Sequence, residues 1–505
     1  MVTKTNNRMI DGAAVNVLDF GAVGDGVADD TVAIQAAIDT HRTVRLPAGT
    51  YNVTGLELDT HTQFLGEGRA NTEVRLADGA NSHILRSKDF ATLTGSNKWL
   101  VSDGVPWGFA IKGITFDGNN ANNTSGTPVQ IYGKGFITED IAIKNGAEGG
   151  FYSEGAAVGG QEGVEDVPEA QIGPLWTYGC VGQAFEYLGP HDGRVNTLYC
   201  SGNHVPGSKG VRFAKGATFN GLASVGEIHT YGMASDNFYT NVALTGGTII
   251  AESCPIRNCI IDSSTNALAE IVVFGLRNTN EDMLVISGSQ NQMRIKAIDA
   301  NGAGAGNLIN IDGNENIIEL IANGNNTDCT AIVNNGRGNR IKGMAQNAAT
   351  ALSMPNNSRD SDISLQVRNC DQVWNLGTAG IVNNRIYFGG YDNTALGNNT
   401  FPENNDVSGT LTIGGSALRL RGQGRVNGEL DMTSTAVQSV DIPHGLAAIP
   451  DIGKVNVSLL NVASTSHQER YGLRVQYVDA TNIRVSYRLA TAGTGTGDIL
   501  WSAGI

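Results

Sequence analysis

The chain has 505 residues, with 34 Lys and Arg against 49 Asp and Glu, for a net charge of −15. That length can bury more than one substantial core, while the acidic balance and the lack of any basic cluster argue against a nucleic-acid partner. No apolar run approaches a membrane span, and the six cysteines show neither a CxxC pair nor metal-ligand spacing, so no membrane insertion and no metal are expected.

Residues 1–14 are polar and read as a short arm without the apolar stretch of a secretory signal. The protein is therefore expected to be synthesised in a reducing cytoplasm, with Cys180, Cys200, Cys254, Cys259, Cys329 and Cys370 as buried thiols. From residue 15 comes Val-Asn-Val-Leu-Asp-Phe-Gly-Ala-Val-Gly-Asp-Gly-Val-Ala-Asp-Asp-Thr-Val-Ala-Ile-Gln-Ala-Ala-Ile-Asp. Its second half predicts a short amphipathic helix with Ile34, Ala37 and Ile38 on one face, capped by Asp29 or Asp30. Asp25, Asp29 and Asp30 form a carboxylate cluster on paper, and turn and cap roles account for all three. Strand-like fragments follow at 43–51, 63–68 and 111–119, the last reading Ile-Lys-Gly-Ile-Thr-Phe-Asp-Gly-Asn.

The stretch 151–210 interrupts the rhythm and predicts loop insertions, the usual place for ligand contacts. It holds two candidate acids, Glu186 and Asp192, the second in a Gly-Pro-His-Asp-Gly turn. Its aromatics are Trp176, Tyr178, Phe185, Tyr187 and Tyr199, and Trp176 and Tyr187 are taken as sugar-stacking candidates although several of the five belong to a core. At 226–232 the chain reads Gly-Glu-Ile-His-Thr-Tyr-Gly, which puts Glu227, His229 and Tyr231 on one strand face. The step from His229 to Glu252 is 23. If that step is one full lap of a coil, His229 and Glu252 are neighbours, and Glu227 with Glu252 is a carboxylate pair suited to glycosidic hydrolysis. Asp236 is a further acid, and His229 and Tyr231 are substrate contacts in this scheme. An outward polar ladder with no chemistry explains the same residues.

The lap length comes from Ile249, Val272, Ile295, Ile318, Ile341, Ile363 and Ile386, which recur at steps of 23, 23, 23, 23, 22 and 23. Short apolar strands at such a period, without a helical pattern, predict a coil stacked on itself. The marked residues would point inward, and Lys296, Glu319 and Lys342, one position on, would line the wall with alternating charge. Gly is plentiful, at 66 in the chain, and Asn occurs 22 times between positions 286 and 400; both tolerate φ > 0 at the corners. The rhythm ends near 400. Alternating strands at 454–460, 472–478 and 482–489 then predict a small antiparallel sandwich.

The opening at 15–38 with the fragments at 43–51, 63–68 and 111–119 resembles the start of the pectate-lyase-like right-handed β-helix superfamily, in particular bacteriophage tailspikes and capsule depolymerases. The resemblance covers roughly residues 15–120. With the repeat, it implies an all-β fold, a right-handed parallel β-helix over 15–400 plugged by the short helix, each rung taking about 22–24 residues. The remainder, 401–505, would be a trimerisation or receptor-binding module. The resemblance further implies a homotrimer on the virion, joined to other tail or adaptor proteins through 1–14. It would bind bacterial surface polysaccharide, capsule or O-antigen, and cleave it as an endoglycosidase without a cofactor. Hydrolases, lyases, epimerases and inactive binding proteins share this opening, so a non-catalytic adhesin and a polysaccharide lyase stand as alternatives.

Overall fold

The computed structural model describes residues 14–94, 104–155, 170–190, 193–201, 282–299, 306–324, 328–397 and 405–413, together with the strands within 208–275 and 416–504, mostly as backbone. It divides into two units, Met1–Gly306 and Asn307–Ile505. Each contains coiled parallel strands, about 12 turns in all, with very little helix.

In the first unit the laps up to Phe213 lay down three strands, one on each of three faces, paired in parallel with their equivalents above and below, while the short pair Thr218–Phe219 and Leu222–Ala223 is antiparallel. On the first face Val15, Val44, Phe64, Ile111, Thr138, Ile172 and Val195 are in register. On the second, Tyr51, Val74, Phe116, Ile143, Thr177 and Cys200 align. On the third, Leu56, Leu85, Val129, Phe151, Phe185 and Val211 align. All of these side chains are buried. Parallel strands lie about 4.8 Å apart, so residues at matching positions pile into columns, and Phe151 and Phe185 stack with centroids 5.0 Å apart. The interior is thus three largely apolar columns facing one another.

The helix Thr31–Thr40 buries Ile34, Ala37 and Ile38, as its periodicity predicts. Asp29 Oδ1 accepts the Thr31 N–H at 2.9 Å, while the buried Asp30 carboxylate accepts from the N–H groups of Val23 and Gly24. Asp25 accepts from Val27 and Ala28. The three aspartates are therefore turn and cap residues.

The expected insertion at 151–210 is largely regular structure. Strands at Gly149–Glu154, Gln171–Ile172, Leu175–Tyr178, Gly182–Leu188, Gly193–Val195 and Leu198–Ser201 keep the three-face pattern. The sequence rhythm breaks because the segment 156–169, which lies outside the described residues, comes between the first two of them.

The aliphatic ladder holds with one slip. Ile249 pairs with Ile271, not Val272, and Ile271 pairs with Ile295. Ile271 is fully buried and Val272 is not. In the second unit Ile318, Ile341, Ile363 and Ile386 form one column as expected, and Val407 extends it by a further rung, all buried. Lys296, Glu319 and Lys342 are exposed, and Glu319 faces Lys342 across one rung. The coil runs past 400, because Asp406–Ile413 pairs in parallel with Arg385–Asn393.

Asparagine does more than turn corners in this unit. Asn316 N–H donates to Asn339 Oδ1 (2.8 Å), Asn339 N–H to Ser361 Oγ (3.3 Å), Ser361 N–H to Asn384 Oδ1 (3.0 Å) and Asn384 N–H to Asn405 Oδ1 (3.0 Å). The first four residues are buried, so this spine satisfies backbone donors that water cannot reach. Corner roles are seen as well: Asn347, Asn357, Asn369 and Asn383 have positive φ.

Beyond 413 the pairing is antiparallel. Arg421–Asp431, Thr496–Gly504 and Asn456–Leu460 form one three-stranded sheet, and Gln438–Pro443, Asn482–Tyr487 and Arg474–Val478 form another. Among the described residues no helix is long and apolar enough to cross a membrane.

Candidate functional site

Side chains alternate across a strand, so the positions next to the third-face core column form a column on its outer wall. In register these are Glu57, Arg86, Gln130, Tyr152, Glu186 and Arg212. At one end Arg86 donates to Glu57 through Nε (2.9 Å) and Nη2 (2.6 Å). At the other end Arg212 pairs with Glu186, and Tyr152 adjoins that pair one rung below. The Tyr152 hydroxyl donates to Glu154 Oε2 at 2.6 Å.

Glu154 breaks the ordinary burial pattern. It lies two residues past Tyr152, yet it is only 4% exposed. Its register partner Tyr132 packs with Leu93 and Val105 in an apolar cluster outside the wall, joined by Phe90. Phe90 meets the Tyr152 ring edge-on at 5.9 Å. The short helix Phe90–Leu93 thus helps make a dry niche over this end of the face. Burial, the hydrogen bond to Glu154 and the charges of Glu154 and Glu186 push the Tyr152 phenol well above the ordinary tyrosine range, with Arg212 opposing. Tyr152 therefore keeps its proton at neutral pH. From the register, Glu154 and Glu186 backbones stand roughly 8 Å apart, the diagonal of a strand pair.

Glu186 thus joins a polar constellation, as a candidate acid should. Tyr187 does not line a surface: it is fully buried, its hydroxyl donates to the Pro190 carbonyl, and alternation with outward Glu186 forces it into the core. Trp176 is on the second-face wall, stacked on Tyr199 at 5.6 Å, with the Arg69 guanidinium 3.5 Å from its ring centre. Asp192, Tyr231 and Asp236 lie outside the described residues, as do the side chains of Glu227, His229 and Glu252. The backbone register nevertheless corrects the expected pairing. His229 pairs with Thr245, and the strand Ala243–Ser253 then turns onto the face of Met233–Ser235, where Ser235 pairs with Ala251. The lap that starts at His229 therefore closes at Thr245, well short of Glu252, and Glu227 pairs with Ala243. Sequence reasoning does not single out Tyr152, Glu154 or Arg212. Uneven laps hide them, because the step from Tyr152 to Glu186 is 34 and that from Glu186 to Arg212 is 26.

A cleft of about 480 Å³ opens where the first two faces meet, over Gly66, Gly68 and Gly113. Of its lining charges, Lys112 pairs with Glu139 (2.7 Å) and Asp140 with Arg69 (2.6 Å), which suits a braced corner. Among the described residues no group of three or more His, Cys, Asp and Glu could hold a metal ion.

Residues 14–132 match the family described as Rhamnogalacturonase A/epimerase, pectate lyase-like. The match ends before Tyr152, so it bears on the fold and not on this site. Mannuronan C5-epimerase AlgE2 of Azotobacter vinelandii is 38% identical over 124 residues, 22% of this chain and 11% of that protein. YobO of Bacillus subtilis (strain 168), named as a putative phage-related protein, is 43% identical over 79 residues, 15% of this chain and 10% of that protein. The chain therefore spans about a tenth of the length of these relatives. Among solved structures, the N-terminal fragment of bacteriophage Phi29 gene product 12 shares the fold, with a TM-score of 0.52 at 14% identity over 80% of this chain and 72% of that one. The protein is a parallel β-helix whose first laps are pectate-lyase-like.

Proposed function

We propose that this chain is a bacteriophage tailspike that binds a bacterial surface polysaccharide and cuts it internally at the Tyr152–Glu154–Glu186–Arg212 face. Its pectate-lyase-like opening, the mannuronan-modifying and phage-related relatives of its N-terminal part, and a long coil with an outward polar column support this reading. Assembly as a homotrimer, and attachment to other tail proteins through residues 1–14, belong to the same proposal.

One observation carries the chemistry: two carboxylates flank one tyrosine, one in a covered apolar niche and one beside a guanidinium. Glycosidic hydrolysis needs two carboxyl groups in different roles. Glu154 in the niche is assigned as the acid, which takes up a proton when substrate binds and passes it to the leaving oxygen. Glu186 on the wall is the base that takes a proton from the attacking water, and Arg212 fixes its orientation. Tyr152 holds Glu154 in place through its hydroxyl. A second reading, elimination from a uronate, is favoured by the Arg212 guanidinium, which could neutralise the sugar carboxylate while Glu186 removes the adjacent proton.

The test is to incubate the protein with host capsule or O-antigen and follow fragment length and reducing ends. Hydrolysis gives shorter chains and new reducing ends without the ultraviolet absorbance of an unsaturated uronate. That absorbance would select elimination. Binding with no shortening would leave a glycan-binding adhesin.

A further inference from the structure

The second face carries an aromatic surface that the proposed chemistry does not use. Its outer wall reads, rung by rung, Thr115 with Asp117, Ala142 with Lys144, Trp176 with Tyr178, and Tyr199. Tyr178 and Tyr199 are 41% and 45% exposed, among the most exposed large aromatics described. They sit on adjacent rungs two positions apart, hence about 8 Å between backbones. Trp176 joins them, for it shares a strand with Tyr178 and stacks on Tyr199 with an interplanar angle of 16°.

This surface is built to hold its shape. Arg69 covers Trp176 where the small Ala142 leaves room on the rung below, and Asp140 accepts from both the Arg69 backbone N–H (3.3 Å) and its Nη1 (2.6 Å). After Tyr178 the chain turns at Gly179, whose φ is +66° and whose carbonyl accepts from Asn120 Nδ2. Below Tyr178, Lys144 is held between Glu73 (2.7 Å) and Asp117 (3.2 Å). The tyrosine rings are therefore presented from fixed backbone, with little ordering left to do on binding.

Two tyrosines about two-fifths exposed offer on the order of 200 Å², far below the roughly 800 Å² per partner of a stable protein interface. Flat aromatic faces flanked by fixed charged groups suit instead the C–H face of a pyranose ring with hydroxyls at its edge. We infer that Tyr178 and Tyr199, braced by Trp176, form a second, non-catalytic site for a hexopyranose chain, on a different face of the coil from Glu186. Such a site would keep the polymer on the protein between cuts. It rests on the reading that the chain binds polysaccharide, and it stands or falls independently of whether Glu186 cleaves.

The experiment is affinity electrophoresis of the full chain through native gels containing either alginate, a polyanion, or hydroxyethyl cellulose, which is uncharged. Tyr178→Ala with Tyr199→Ala is compared with Tyr387→Ala, an exposed tyrosine in the second unit. We expect the unaltered chain and Tyr387→Ala to be retarded alike by one or both polymers, and the double variant to lose roughly tenfold in affinity, the effect of two stacking contacts. Retardation by alginate alone assigns the site to acidic chains, and by both to the shared pyranose face. Near-ultraviolet circular dichroism and thermal unfolding verify that the double variant is folded. Equal retardation of the double variant, or no retardation of the unaltered chain by either polymer, overturns the inference.

Discussion

In Glu186→Gln the carboxylate facing Arg212 becomes a neutral amide of the same shape. The ion pair it breaks is partly solvated, with 36% of the Arg212 side chain and 20% of the Glu186 side chain exposed. Such pairs contribute about 1 kcal/mol or less to stability, so unfolding should shift by only a few degrees. A positioned base contributes on the order of 100- to 10,000-fold to rate, so release of reducing ends from host polysaccharide should fall by about that factor. The same column supplies a control. Glu57 pairs with Arg86 at 30–40% exposure but has neither Tyr152 nor Glu154 beside it, so Glu57→Gln should match Glu186→Gln in stability and leave turnover unchanged. Melting curves and initial rates on all three proteins decide the matter. Turnover within about threefold of the unaltered chain in Glu186→Gln, or an equal loss in Glu57→Gln, would refute a chemical role for this carboxylate.

Two further predictions concern the interior. Asn339→Leu keeps the branching and heavy-atom count of a fully buried side chain but removes the acceptor for Asn316 N–H and the donor to Gly313 O (3.0 Å) and Asn334 Oδ1 (2.8 Å). At about 1–3 kcal/mol for each group deprived, urea should unfold the second unit much earlier, whereas Asn375→Ala, at an exposed position, should leave the midpoint in place. Burial pushes the Cys180 and Cys370 thiols up to about 11 from an ordinary 9, so the folded state holds these protons longer than the unfolded chain does; stability is intact below pH 9 and falls as pH rises through 11. Thermal unfolding followed from below pH 9 up to pH 11 should show that fall, and Cys180→Ala and Cys370→Ala should each flatten it; an unchanged slope in both would count against the burial argument.

The coil is legible because one aliphatic per lap is a long-range signal that local sequence noise does not erase. One error in its inward column is instructive. Equal steps of 23 place Val272 inside, but the register steps by 22 from Ile249 to Ile271 and by 24 from there to Ile295, the same total. In the run Ile-Val-Val every residue is apolar, so hydrophobicity cannot say which one points inward. The polar site needs more than the average lap. A carboxylate finds its neighbour only if the chain between them is counted turn by turn, and here a step of 35 from Arg194 to His229 is followed at once by one of 16 from His229 to Thr245. Glu186 is singled out as an acid of the expected insertion and not from the alternation of its own strand; Tyr152 and Arg212 are missed because their distance from it follows no period. Tyr187 could be placed from that alternation, since an outward Glu186 leaves its neighbour nowhere but the core. The antiparallel strands after 413 are visible from period two alone, and their packing is not, because alternation names a buried face without naming what buries it.

The asparagine spine of the second unit has an evolutionary corollary. Each storey hands its neighbour the same kind of bond, from a backbone N–H to a side-chain oxygen, so a storey can be excised or copied between two such residues and the cut ends will find matching partners. Reach can then be lengthened or shortened by duplication and deletion, with no redesign of the interior.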